Sequence, residues 1–128
     1  MKVLALDYGA ARTGVAVSDA TGTIARPLGT VERAASESGL AEVLELVREH
    51  EAERVVVGLP LTLRGEHGAQ AVETGAFVEA LRATVDVPVE TYDERFTTAL
   101  AARGGGDSDE DARAAAHLLE SYLKRAAG

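Results

Sequence analysis

The sequence predicts an α/β fold with a five-stranded mixed sheet, three antiparallel strands then two parallel ones, and helices on both faces. Three observations predict it. The first eight residues make a strand that is apolar on both faces until Asp7, as a strand covered on both sides must be. The next two strand-like segments follow through connections too short for a crossover, so they pair antiparallel. Beyond them, helical spacing alternates with short apolar strands, the pattern of parallel βαβ units.

The strand from Met1 to Tyr8 sets Val3, Ala5 and Asp7 on one face and Leu4, Leu6 and Tyr8 on the other. Gly9 to Arg12 is a tight turn. A second strand runs from Thr13 to Asp19. Thr21-Gly22 then turns the chain into a third strand, Thr23 to Val31, interrupted by Pro27. Leu40, Val43, Leu44 and Val47 have helical spacing, with Ser36 or Ser38 as N-cap. Arg54 to Gly58 holds three successive valines, the composition of a buried parallel strand. Pro60 to Gly68 is a loop. Ala69, Val72, Ala76, Phe77, Ala80 and Leu81 mark a second helix, and Val87 to Tyr92 a fifth strand. Asp93 to Ala102 starts as a loop and becomes a short helix; Gly104-Gly105-Gly106-Asp107 breaks the chain. The last helix, Ser108 to Arg125, packs through Ala112, Ala115, Ala116, Leu119 and Leu123. With no repeat and no linker, residues 1–128 read as one domain. The order β-β-β-α-β-α-β-α is that of the ribonuclease H-like fold, in which the first strand is central and has the fourth as its parallel neighbour.

Composition narrows the function. The 128 residues carry 13 basic and 21 acidic side chains, a net −8, and no cysteine. Disulfides, thiolate metal sites and cysteine nucleophiles are therefore excluded. No apolar run approaches the roughly 20 residues of a membrane span. The start does not read as a signal peptide, because its apolar stretch is short and ends in an acid, so a cytoplasmic location is expected. The negative charge opposes nucleic-acid binding, unless a local basic patch or bound divalent cations offset it.

The chemistry concentrates at strand ends. Asp7 ends a doubly apolar strand, where a carboxylate must be paired, hydrogen-bonded, metal-bound or turned into an Asx turn. In Asp7-Tyr8-Gly9-x-x-Arg12-x-Gly14, the glycines let a phosphate or metal come close to backbone, and Arg12 is placed to clamp an anion. That pattern suits two classes: nucleases whose Asp binds metal, and two-domain ATPases whose hairpin holds phosphate. One domain of chain favours the first. Arg64 and Gln70 sit in or beside the loop after the fourth strand, on the ligand-binding edge of such sheets, as candidate substrate contacts; His67 there reads as a solvated or capping residue. Asp93-Glu94-Arg95 follows the fifth strand at the same edge. Adjacent acids on extended chain point apart, so one of the two meets Asp7; Arg95 can pair with an acid or bind phosphate. Asp111 belongs to a run of first-turn acids that suits helix capping, yet it shares a helix side with Ala115 and Leu118 and could face the sheet.

These segments, LALDYGAARTGVAVSD (4–19), VVVGLPLTLRGEHGAQA (55–71), VPVETYDERFTT (87–98) and DARAAAHLLESYL (111–123), closely resemble the YqgF (RuvX-like) family of pre-16S rRNA nucleases. The resemblance implies an acidic site of Asp7, an acid of Asp93-Glu94 and Asp111, with Mg²⁺ or Mn²⁺ as cofactor. Asp7, Glu94 and Asp111 are the expected metal ligands, and Arg12 and Arg95 match the motif arginines. One departure stands out: residues 103–110 are short and acidic where the family has a Lys/Arg-rich stretch. The expected function is metal-dependent phosphodiester hydrolysis at the 5′ end of pre-16S rRNA, with pre-rRNA and the ribosomal precursor particle as partners and no membrane. Carboxylates suit these hard cations, whose charge would offset the −8. Two alternatives are a resolvase-like endonuclease on branched DNA, which calls for a homodimer rather than a monomer, and a non-catalytic ribosome-assembly module. An ATPase is a more distant one.

Overall fold

The computed structural model describes residues 1–59, 68–93 and 108–127. Five strands, β1 (Val3–Asp7), β2 (Arg12–Ser18), β3 (Ala25–Glu32), β4 (Arg54–Leu59) and β5 (Val89–Asp93), form one sheet in the order β3-β2-β1-β4-β5. β1 pairs antiparallel with β2 and parallel with β4; β2 pairs antiparallel with β3 and β4 parallel with β5. The three helices are α1 (Glu37–Glu49), α2 (Ala69–Arg82) and α3 (Ser108–Ala127). This is the mixed sheet that the sequence predicts, with β1 at its centre.

Alternation along the strands builds two cores. Leu4, Leu6, Val15, Val17, Val55 and Val57 point to one face, where Val43 and Val47 of α1 and Phe77, Val78 and Leu81 of α2 cover them. Val3, Ala5, Ala16 and Val56 point to the other, under Ala115, Leu118, Leu119 and Leu123 of α3. The α3 face is made of smaller side chains, so one long helix lies close to the strands. Each leucine that α3 buries contributes roughly 1.5–3 kcal/mol.

Local chemistry sets the boundaries. Ser36 caps α1 by accepting from the Gly39 N–H at 3.1 Å. β3 begins two residues later than Thr23 because the amides of Thr23 and Ile24 donate to Asp19 Oδ1 at 2.8 and 3.1 Å; they close an Asx-type turn instead of a ladder. The Thr21 hydroxyl, then those two bonds, hold the Asp19 carboxyl at a pKa of about 2. Pro27 is tolerated because β3 is an edge strand, and the β2–β3 register shifts beside it, between Val15 and Ala16. β5 begins at Val89, after Pro88, which has no N–H to pair. The short helix expected within 93–102 lies outside the described residues apart from Asp93, which closes β5.

α3 is pinned at both ends. Near its start Arg12 Nε donates to Asp111 Oδ2 at 2.8 Å. Near its end the Tyr122 hydroxyl accepts from Arg54 at 2.9 Å and donates to Glu90 at 3.2 Å, and Arg54 pairs with Glu90 at 2.7 Å. Tyr122 also meets the Tyr92 ring edge-on, centroids 5.7 Å apart.

A Cβ at Gly14 would overlap the backbone carbonyl of Asp111, so Gly14→Ala must push α3 off the sheet. It should cost about 1–3 kcal/mol, read by urea denaturation; an unchanged midpoint would contradict the close crossing. The Asp19 pKa lies below its ordinary 3.8, so its stabilisation is present above that value and is lost as pH falls through about 2. The melting-temperature gap between wild type and Asp19→Ala should therefore be full at neutral pH and shrink in strong acid.

Candidate active site

The candidate site lies where β1 ends and α3 begins. Asp7 is the last residue of β1 and only 7% exposed. It shares the face of Val3 and Ala5, which α3 covers. Its Oδ1 is buried and takes no hydrogen bond among the described residues, while the residue keeps other interactions. A carboxylate in such a place is costly unless its charge is compensated.

Directly across the ladder from Asp7 stands Gly14, and on Gly14 rests the backbone of Asp111. Asp7 and Asp111 thus come together from positions 104 residues apart (111 − 7). The glycine has a use other than the one its motif suggests. The space at Gly14 is filled by the Asp111 carbonyl, and the space at Gly9 by the Arg12 carbonyl. Both glycines admit the chain's own backbone at these points, where the sequence reading gave them to an approaching phosphate or metal.

Asp111 faces the sheet side of its helix through Arg12, the two side chains being 23% and 35% exposed. Arg12 begins β2 and opposes Glu32 of β3. Its guanidinium therefore orients an acid first, and any anion it meets shares it with Asp111. Asp109 and Glu110 are the exposed acids of the first turn of α3.

Asp93 ends β5 opposite Leu59. Tyr92, its neighbour, packs in the core under α3, so alternation sends Asp93 to the α1–α2 side of the sheet. Gln70 is exposed on the first turn of α2. Glu94, Arg64, Arg95, His67 and most of the 103–110 stretch lie outside the described residues. Among the described residues no group of three or more acids or histidines is placed to hold a metal ion; Asp7 and Asp111 supply two oxygen-donor side chains at one edge.

Two features were not legible as site features. Tyr8, next to Asp7, turns to the opposite face and stacks on Phe77 with centroids 4.6 Å apart, its hydroxyl 3.4 Å from Glu73. Burial, then the charge of Glu73 and the bond to it, push the phenol pKa up. Beside Arg12 and Asp111 a cleft of about 710 Å³ also reaches Glu32, Arg33 and Ser38. Arg33 carries no motif signal; its placement depends on a turn between β3 and α1.

Among the described residues, no helix is long and apolar enough to cross a membrane. The chain matches the RuvX family, described as Holliday junction resolvase, over residues 1–125. A protein of Chloroflexus aggregans named "Putative pre-16S rRNA nuclease" is 50% identical over 99 residues, 77% of this chain and 70% of that one. A protein of the same name from Moorella thermoacetica is 39% identical, the alignment covering 98% of this chain and 96% of its own. Among solved structures, T. thermophilus RuvC in complex with a Holliday junction substrate aligns over 98% of this chain and 96% of its own, at a TM-score of 0.61 and 22% identity. That likeness shows the shared ribonuclease H-like fold. With the family matched from the first strand into the last helix, and a relative aligned along nearly its whole length, this chain belongs to the RuvX (YqgF) family.

Proposed function

We propose that this chain is a single-domain, cytoplasmic, metal-dependent nuclease that hydrolyses phosphodiester bonds of RNA, at the 5′ end of pre-16S rRNA within a ribosomal precursor particle. The observation that carries this reading is the meeting of Asp7 and Asp111 across Gly14 at one end of the sheet. The names of the RuvX relatives support the RNA substrate.

The residues fit a divalent cation by their chemistry. Asp7 offers a buried carboxylate oxygen and Asp111 a second carboxylate, both hard donors of the kind Mg²⁺ and Mn²⁺ take. Glu94 is assigned as the third ligand, because alternation along β5 turns Asp93 away from this face. A cation bound there supplies charge neutralisation and a more acidic water. Arg12 holds Asp111 in place from its side. Arg64 and Arg95 are assigned to the substrate's phosphates.

Asp7→Asn keeps the size of the side chain and removes its charge. It should fold like wild type and lose Mn²⁺-dependent cleavage by about 100-fold or more. Both proteins are assayed on precursor rRNA, single-stranded RNA and a four-way DNA junction, with and without Mn²⁺. Equal cleavage by the two would remove Asp7 from the chemistry. Cleavage of the junction alone would replace RNA by branched DNA. Arg12→Ala should leave Asp111 unoriented and lower cleavage roughly 10-fold or more, measured as kcat on the same RNA. A kcat equal to wild type would mean that Asp111 needs no such support.

A further inference from the structure

We propose that Arg33 binds a backbone phosphate of the polynucleotide strand, beside the reacting bond, in the cleft between the β1–β2 turn and the β3–α1 turn. This rests on the nuclease reading above and names how that substrate is held.

The cleft, about 710 Å³, adjoins the candidate site, since Arg12 and Asp111 line it together with Gly9, Glu32, Arg33 and Ser38. Its volume is in the range of built ligand sites, roughly 300–1,000 Å³. On a chain of net charge −8, the lining of this cleft sets two guanidiniums, Arg12 and Arg33, against two carboxylates, Glu32 and Asp111.

Arg33 is held at this place by its backbone. Its φ is 47°, a left-handed conformation that costs any residue with a Cβ and persists only where surroundings impose it. They do so from three sides. The Arg33 N–H donates to the Ala11 carbonyl at 3.0 Å, tying it to the turn that carries Arg12. The Arg33 carbonyl accepts from the Ser36 N–H at 2.9 Å and the Ser36 hydroxyl at 2.6 Å. Gly39 of α1 packs so closely on that carbonyl that a Cβ would overlap it.

Arg12, Arg48, Arg54 and Arg82 each pair with an acid. Arg33 is exposed and makes no ion pair or side-chain hydrogen bond among the described residues. A fixed root and a guanidinium without a partner among the described residues, in a cleft shared with the acids, are what a phosphate clamp requires. An arginine kept only for turn geometry would be better replaced by glycine.

The test measures binding of a single-stranded RNA, and of DNA of the same sequence, in calcium buffer across a salt series. Wild type, Arg33→Gly, Arg33→Lys and Arg26→Ala are compared. Glycine removes the side chain while suiting the backbone, so Arg33→Gly should melt at or above the wild-type temperature. It should bind about tenfold more weakly, and the slope of log affinity against log salt should fall by about 0.7, one phosphate contact on a single strand. Arg33→Lys should keep most of the slope. Arg26, at the far end of β3, should behave as wild type when removed. Matching losses on RNA and DNA would identify the phosphate as the ligand; a loss on RNA alone would replace it by the ribose. If wild type binds and Arg33→Gly binds equally well with the same slope, this inference falls and the nuclease reading stands. If wild type binds neither strand and cleaves none of the substrates above, both fall together.

Discussion

The structure depends on how closely α3 crosses the sheet. A helix can bring its backbone against a strand only where the strand offers no side chain, and Gly14 is that place. Because Gly14 pairs with Asp7, the crossing point of helix and sheet is also the position of the buried carboxylate. The core under α3 conforms to the same demand: Ala5 and Ala16 line it where the opposite face carries Leu4, Leu6, Val15 and Val17. Packing and site are therefore one arrangement. Moving α3 outward would loosen the core and separate Asp7 from Asp111.

Electrostatics is distributed along that helix in two steps. At its start an arginine from β2 holds an acid of α3; at its end an arginine from β4 holds a tyrosine of α3 and a glutamate of β5. The far cluster positions the helix without access to the candidate site. The near pair is half-buried and stands at the mouth of the cleft. The same type of contact thus serves anchorage at one edge and alignment of a charged side chain at the other.

The opposite face supports the site indirectly. β1 exits between Asp7, directed to α3, and Tyr8, stacked on Phe77 of α2. Consecutive residues on a strand point to opposite sides, so anchoring Tyr8 in one layer fixes the direction of Asp7 in the other. Arg33 joins this frame from the edge strand: its amide is bonded to the turn that follows β1. Three segments from the first 40 residues meet one from the last 20 at the same corner.

Much of the fold was legible because strand faces and helix stripes are local periodicities. The split of β1 into Val3, Ala5, Asp7 and Leu4, Leu6, Tyr8 can be read from alternation, and so can the α3 stripe of Ala112, Ala115, Ala116, Leu119 and Leu123, all buried. Short connections make β1, β2 and β3 antiparallel neighbours, while the place of β4 beside a central β1 was read from the likeness of the element order to the ribonuclease H-like fold. Asp7 was legible too, as an acid in an apolar strand. What sequence alone left open was Asp111, whose first-turn position suits capping as well as a site, and the use of Gly9 and Gly14, open equally to a ligand or to backbone. Arg33 was silent, since nothing local announces a left-handed arginine. Those choices rest on which distant group fills a given space. Periodicity specifies which way a side chain points; only the packed tertiary structure decides what it meets there.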